Sequence, residues 1–167
     1  MIQVYTGNGK GKTSAALGLA IRAAGAGLKI YIGQFLKRND SSELNSLKKI
    51  SNIKVEQFGS KCFIKSEPTK KDRKLAKKGL IKVKEILTRK LFDVVILDEI
   101  NVALNLKLIS QKEVIELINN VPKKTELVLT GCNAPGKIKK IADLVSEIKE
   151  VKHYYKSGIK ARRGIEY

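Results

Sequence analysis

Short apolar runs alternate with longer stretches whose apolar positions recur every three or four residues. That alternation predicts βα units around a sheet of mostly parallel strands. Ile2–Tyr5 reads as a first strand, Lys29–Leu36 as a second and Ile53–Phe58 as a short third. Phe92–Leu97 and Glu126–Thr130 are apolar on both faces, as central strands are, and a last strand is expected near Val145–Val151. Helices are predicted over Thr13–Ala26, from Glu67-Pro68-Thr69 onward to Lys90, over Gln111–Asn119 and over Lys137–Ala142. Ser110 with Glu113 three residues on forms a capping box for the third of these. The last stretch, residues 154–167, has no clear period and is expected to wrap the surface or a ligand.

Length fits this pattern: 167 residues with 43% hydrophobic and 30% charged side chains make one compact domain over residues 1–167. The longest uncharged run, Leu127–Gly136, is far short of a membrane span of about twenty residues. The first strand leads straight into a glycine-rich turn, leaving no room for a signal peptide, so a cytoplasmic location is expected. Cys62 and Cys132 lack metal-ligand spacing and read as free thiols. Lys and Arg outnumber Asp and Glu 34 to 16, giving a net charge of +18. Ten of these cations fall within Thr69–Lys90. That segment has few Arg and no aromatic residue for base readout or stacking, so a solvated lysine-rich helix is preferred over a nucleic-acid surface.

The sharpest motif is Thr6-Gly7-Asn8-Gly9-Lys10-Gly11-Lys12-Thr13, after a strand and before a helix. Glycines allow a tight bend whose N–H groups point inward to phosphate oxygens, and the helix start adds its positive dipole end. Gly7, Asn8, Gly9, Lys10, Gly11, Lys12, Thr13 and Ser14 are the nucleotide-binding candidates; Lys12 would neutralise phosphate charge and Thr13 would ligate Mg²⁺. The usual Gly-x4-Gly-Lys-Thr pattern places glycine where Thr6 stands. A second acidic element, Asp98-Glu99, closes the strand Phe92–Leu97 at its carboxyl end, where ligands gather in open α/β sheets. Either carboxylate could hold Mg²⁺, directly or through water. These residues alone leave a phosphatase, a kinase and an ATP-gated nucleic-acid protein open beside other uses of a triphosphate.

With further segments added, the chain resembles the ATP:corrinoid adenosyltransferases of the cob(I)yrinic acid a,c-diamide type. The resemblance spans nearly the whole chain and includes Gln34-Phe35-Leu36-Lys37, Leu97-Asp98-Glu99, Leu129-Thr130-Gly131, Asn133-Ala134-Pro135, Val151-Lys152-His153 and the ending Gly158-Ile159-Lys160-Ala161…Gly164-Ile165-Glu166-Tyr167. Thr before the glycine loop is itself a trait of that family. The resemblance implies a three-layer α/β fold of the P-loop NTPase kind and transfer of the 5′-deoxyadenosyl group of ATP to the Co(I) centre of a corrinoid, releasing triphosphate. It implies Lys12 as the residue stabilising the leaving group, Mg²⁺ at Thr13 and Glu99, and Phe63 against the corrinoid. A homodimer and a flavoprotein-type reductant are further implications. The chain departs from the family in lacking any Trp, with Ile64-Lys65 after Phe63, and in carrying Cys132 where many relatives have Arg. His153, the single histidine, reads as a structural side chain, since substitution at C5′ needs no general base.

Overall fold

A computed structural model describes residues 1–37, 41–60 and 67–166. Phe63 and Cys62 lie outside the described residues, so the corrinoid-facing assignment of Phe63 has no structural counterpart here. Six strands, β1 (Ile2–Thr6), β2 (Ile30–Phe35), β3 (Ile53–Phe58), β4 (Val94–Asp98), β5 (Glu126–Thr130) and β6 (Leu144–Glu147), form one sheet in the order β3-β2-β4-β5-β1-β6. Every pair is parallel. Parallel neighbours require crossover connections, and here those carry α1 (Lys12–Gly25), α2 (Ser42–Leu47), α3 (Lys70–Arg89), α4 (Ile100–Asn105), α5 (Gln111–Asn119) and α6 (Gly136–Ile141).

Strand side chains alternate between the two faces, and both faces are covered. On one, Ala16, Ala20 and Ala23 of α1 pack against Ile30, Ile32, Val94, Ile96 and Val128. Alanine on that stripe lets the helix lie close to these strands. On the other face Tyr31, Phe35, Val95, Leu97, Leu127 and Leu129 meet Ala76, Leu80, Val83 and Leu87 of α3, with α4 and α5 alongside. The result is the expected helix–sheet–helix layering.

The expected strands and long helices form, with small shifts that have physical reasons. The last strand stops at Glu147 because Ile148 leaves the sheet to meet the glycine loop, its carbonyl accepting from Gly9 N–H at 2.8 Å. Pro68 precedes the N-cap rather than opening the helix; Thr69 is the cap, in a capping box with Asp72 that the sequence reading passed over. The Ser110–Glu113 box forms as predicted. Helices α2 and α4 are new, each six residues and too short to show a period. On α3, Lys70, Lys71, Arg73, Lys74, Lys77 and Lys78 are exposed, while Gly79, Leu80, Val83 and Ile86 face inward, so the basic side chains lie on its outer face.

Gly79 sets α3 directly against two rings of the sheet. A Cβ there would stand 2.7 Å from Phe58 Cγ and 3.0 Å from Phe35 Cε1, whose rings pack on each other with centroids 5.8 Å apart. Gly79→Ala is therefore expected to destabilise by up to about 2 kcal/mol net, because overpacking at about 1–3 kcal/mol outweighs the ~1 kcal/mol gained from the helix propensity of alanine. Thermal unfolding would register this as a lowered Tm.

Candidate functional site

The carboxyl ends of β1, β4 and β5 lie side by side, with β5 between the other two. The loop after β1 is held in shape from outside. Gly9 N–H donates to Ile148, Ile148 N–H donates to Thr6, and Asn8 Oδ1 accepts from Glu150 N–H at 3.0 Å. This crossing strand explains two of the glycines. A Cβ on Gly7 would lie 2.3 Å from the Ile148 carbonyl oxygen, and one on Gly9 would lie 2.8 Å from Lys149 backbone. Gly11 answers a different need: its φ is +119° at the N-cap of α1, a conformation that a side chain rarely adopts. Thr6, the departure from the common loop pattern, is buried and its Oγ1 accepts from Ala134 N–H at 3.0 Å, tying the loop to the turn after β5.

Helix α1 starts at Lys12 with no side-chain cap and no acidic residue in its first turn, unlike α3 and α5. Its leading amides therefore keep their capacity for an anion. They open onto a cavity of about 600 Å³, whose walls include Lys10, Lys12, Thr13, Lys37 and Glu99 and, from the chain's far end, Gly164 to Glu166. That volume is within the range of small-molecule sites. Lys12 is buried, and its ammonium donates to the Gly9 carbonyl at 2.6 Å, a neutral acceptor that a phosphate oxygen would outcompete.

Asp98 is the hub of the acidic side. Its Oδ1 accepts from Thr13 Oγ1 at 2.9 Å and Thr130 Oγ1 at 2.6 Å, and its Oδ2 accepts from Lys37 Nζ at 2.9 Å and Gln34 Nε2 at 3.4 Å. The strand end offers both Asp98 and Glu99, and the resemblance favours Glu99; the structure joins Asp98 to Thr13 and turns Glu99 onto the cavity wall. Glu99 does this at φ +63°, its N–H donating to Thr130 Oγ1 at 3.0 Å. Burial, and then the charge of Asp98, raise the Glu99 carboxyl above its ordinary range. Burial alone would lower Lys37, but the Asp98 carboxylate, with Glu99 and Glu43 behind it, outweighs burial and Lys37 is raised.

Lys37, Gln34 and Thr130 stand within the quoted motifs, yet no role was read for them, because their convergence on Asp98 depends on strand order. Lys37 is aimed by an unusual backbone: Leu36 takes φ +63°, and Gly59 crosses so close that a Cβ would lie 2.3 Å from Leu36 C. His153 is structural, as read: its Nδ1 accepts from Tyr155 N–H at 3.1 Å at the start of a short 3-10 turn, Tyr154–Ser157. Cys132 is a free thiol. No helix among the described residues is long and apolar enough to cross a membrane.

An uncapped helix after a glycine loop, facing a strand-end carboxylate across one intervening strand, fits many nucleotide enzymes. Comparison with known proteins decides among them: the family model for ATP:corrinoid adenosyltransferase BtuR/CobO/CobP matches residues 1–167. This chain belongs to the ATP:corrinoid adenosyltransferases. The corrinoid adenosyltransferase of Escherichia coli (strain K12) is 31% identical over 167 residues, covering 100% of this chain and 85% of that protein. One from Sinorhizobium sp is 34% identical over 171 residues, covering 100% and 80%. A KaiC-like protein from Pyrococcus horikoshii OT3 superposes with TM-score 0.61 at 17% identity, covering 90% of this chain and 74% of that one, a likeness of fold. The adenosyltransferase thus transfers the adenosyl group of ATP to a corrinoid on an α/β fold of the P-loop NTPase kind.

Proposed function

We propose that this adenosyltransferase binds the triphosphate of ATP in the loop Gly7–Ser14 and presents C5′ to a Co(I) corrinoid. The observation that carries this reading is the uncapped start of α1, with Lys12 buried beside it and Thr13 bonded to Asp98, opening on a cavity large enough for a nucleotide. The cobalt lone pair forms the bond to C5′ as the C5′–O bond breaks, and both electrons of that bond leave with the triphosphate. Nothing in this step needs a general base. The protein's part is to hold C5′ in line and to stabilise charge on the departing polyphosphate, through the α1 amides and the Lys12 ammonium.

A divalent cation fits beside them. Thr13 Oγ1 and Asp98 Oδ1 are hard oxygen donors within 2.9 Å of each other, with the Glu99 carboxyl adjacent in sequence. Among the described residues no group of three His, Cys, Asp or Glu side chains gathers a metal. Thr13 with Asp98 or Glu99 would therefore hold Mg²⁺ together with phosphate oxygens and water, as suits that ion. Bound there, Mg²⁺ supplies further neutralisation of the leaving group. Phe63 is proposed to pack against the corrinoid. A cytoplasmic homodimer supplied with electrons by a flavoprotein-type reductant completes the reading.

The test is anaerobic incubation with Mg-ATP and chemically reduced cobalamin. A light-sensitive cobalt–carbon product with one triphosphate per turnover is expected, and chelation of Mg²⁺ with EDTA should slow the reaction at least about 100-fold, reversibly. Orthophosphate without the alkylated corrinoid would refute the proposal.

A further inference from the structure

The glycine loop carries two lysines, and the structure gives them different surroundings. Lys12 points inward to a single neutral carbonyl. Lys10 points outward, and its ammonium is already shared among three acceptors on the far end of the chain: Glu166 Oε1 at 2.7 Å, Tyr154 Oη at 2.7 Å and the Ile165 carbonyl at 3.1 Å. Glu166, only 16% exposed in its side chain, also accepts from Tyr154 Oη, from Arg162 N–H at 2.6 Å and from the Arg162 guanidinium at 3.3 Å. The Tyr154 ring lies close to both cations, with its centroid 5.4 Å from Lys10 Nζ and 4.9 Å from the Arg162 guanidinium carbon. The tail held by this knot places Gly164 and Ile165 on the wall of the nucleotide cavity.

We infer that Lys10 and Glu166 are a positioning pair that fastens the tail across the nucleotide cavity and so tightens ATP binding, leaving Lys12 as the loop's phosphate-facing cation. This rests on the loop being the triphosphate site. Three acceptors, one of them a carboxylate, hold Lys10 against transfer to a phosphate, whereas the single carbonyl on Lys12 does not. An exposed ion pair by itself contributes little, so the effect of the knot on ATP lies in the cavity wall that it keeps in place. A loose tail would have to be ordered at each binding event, at the expense of affinity.

The test measures equilibrium binding of Mg-ATP without corrinoid. Glu166→Ala is expected to raise the ATP dissociation constant about tenfold, with the matching rise in KM and a much smaller change in kcat, and Glu166→Gln should fall between it and the parent. Lys10→Met should weaken ATP similarly, and the double variant should be within twofold of the worse single, because either change already releases the tail. In the unaltered protein, Mg-ATP should slow hydrogen exchange across residues 154–166. A dissociation constant within twofold of the parent for Glu166→Ala, losses that multiply in the double variant, or unchanged exchange would each overturn the pairing. Lys12→Ala separates the two levels. If it abolishes ATP binding while Glu166→Ala changes nothing, only the tether is wrong; if neither matters, the loop assignment itself fails.

Discussion

Lys12→Ala is expected to lower the rate of adenosyl transfer by about 10³-fold or more, a loss of about 4 kcal/mol of transition-state stabilisation. Charge builds on the triphosphate as the C5′–O bond lengthens, and the ammonium of Lys12 is the buried cation at the start of α1 that can meet it. Lys12→Arg should recover little, since the wider guanidinium does not fit where a slender ammonium reaches the Gly9 carbonyl at 2.6 Å. Stability should not fall in parallel. Among the described residues the ammonium has one neutral partner, so removing it relieves a buried charge and the Tm should hold or rise. Single-turnover formation of the alkylated corrinoid, beside a thermal melt, checks both halves.

Asp98→Ala should damage activity and stability together. Asp98 is 1% exposed and accepts from Thr13, Thr130, Lys37 and Gln34, so its removal strands polar hydrogens in the interior and leaves the Lys37 ammonium on the cavity wall without its carboxylate. Breaking a buried pair in this way costs about 3–5 kcal/mol. At about 2–4 °C per kcal/mol for a chain of this size, the Tm should drop by roughly 10 °C. Asp98→Asn keeps the shape and much of the hydrogen bonding, and should melt closer to the parent while losing the response to Mg²⁺. Melting curves and a Mg²⁺ titration of ATP binding separate the two roles. A variant as stable and as Mg²⁺-responsive as the parent would show that the hub is neither structural nor metal-linked.

The two lysines of the loop illustrate where sequence reading stopped. Both lie in the proposed phosphate-binding run; the Gly-Lys-Thr spacing pointed to Lys12, but nothing local gave Lys10 a separate partner. Their difference comes from Glu166, 156 positions away, and from the Ile148–Glu150 crossing that shapes the loop. Glycines at 7, 9 and 11 look alike in the sequence, yet Gly9 is required by a backbone passing within contact distance, Gly11 by its own φ and Gly7 by both.

What the sequence determined by itself is local. Alternating apolar runs placed the strands, helical spacing placed the long helices, Ser110 and Glu113 placed a cap, and Gly-Lys-Thr after a strand marked the candidate phosphate loop. Each of these reports backbone preference and burial over a few neighbouring residues. Tertiary structure alone decided which strand end faces which. Inserting β5 between β1 and β4 sets Thr13, Thr130, Lys37 and Gln34 around Asp98, and folding the tail back gives Lys10 its partners. Such pairings follow from the order of strands and the closure of long loops, which leave no period or spacing along the chain.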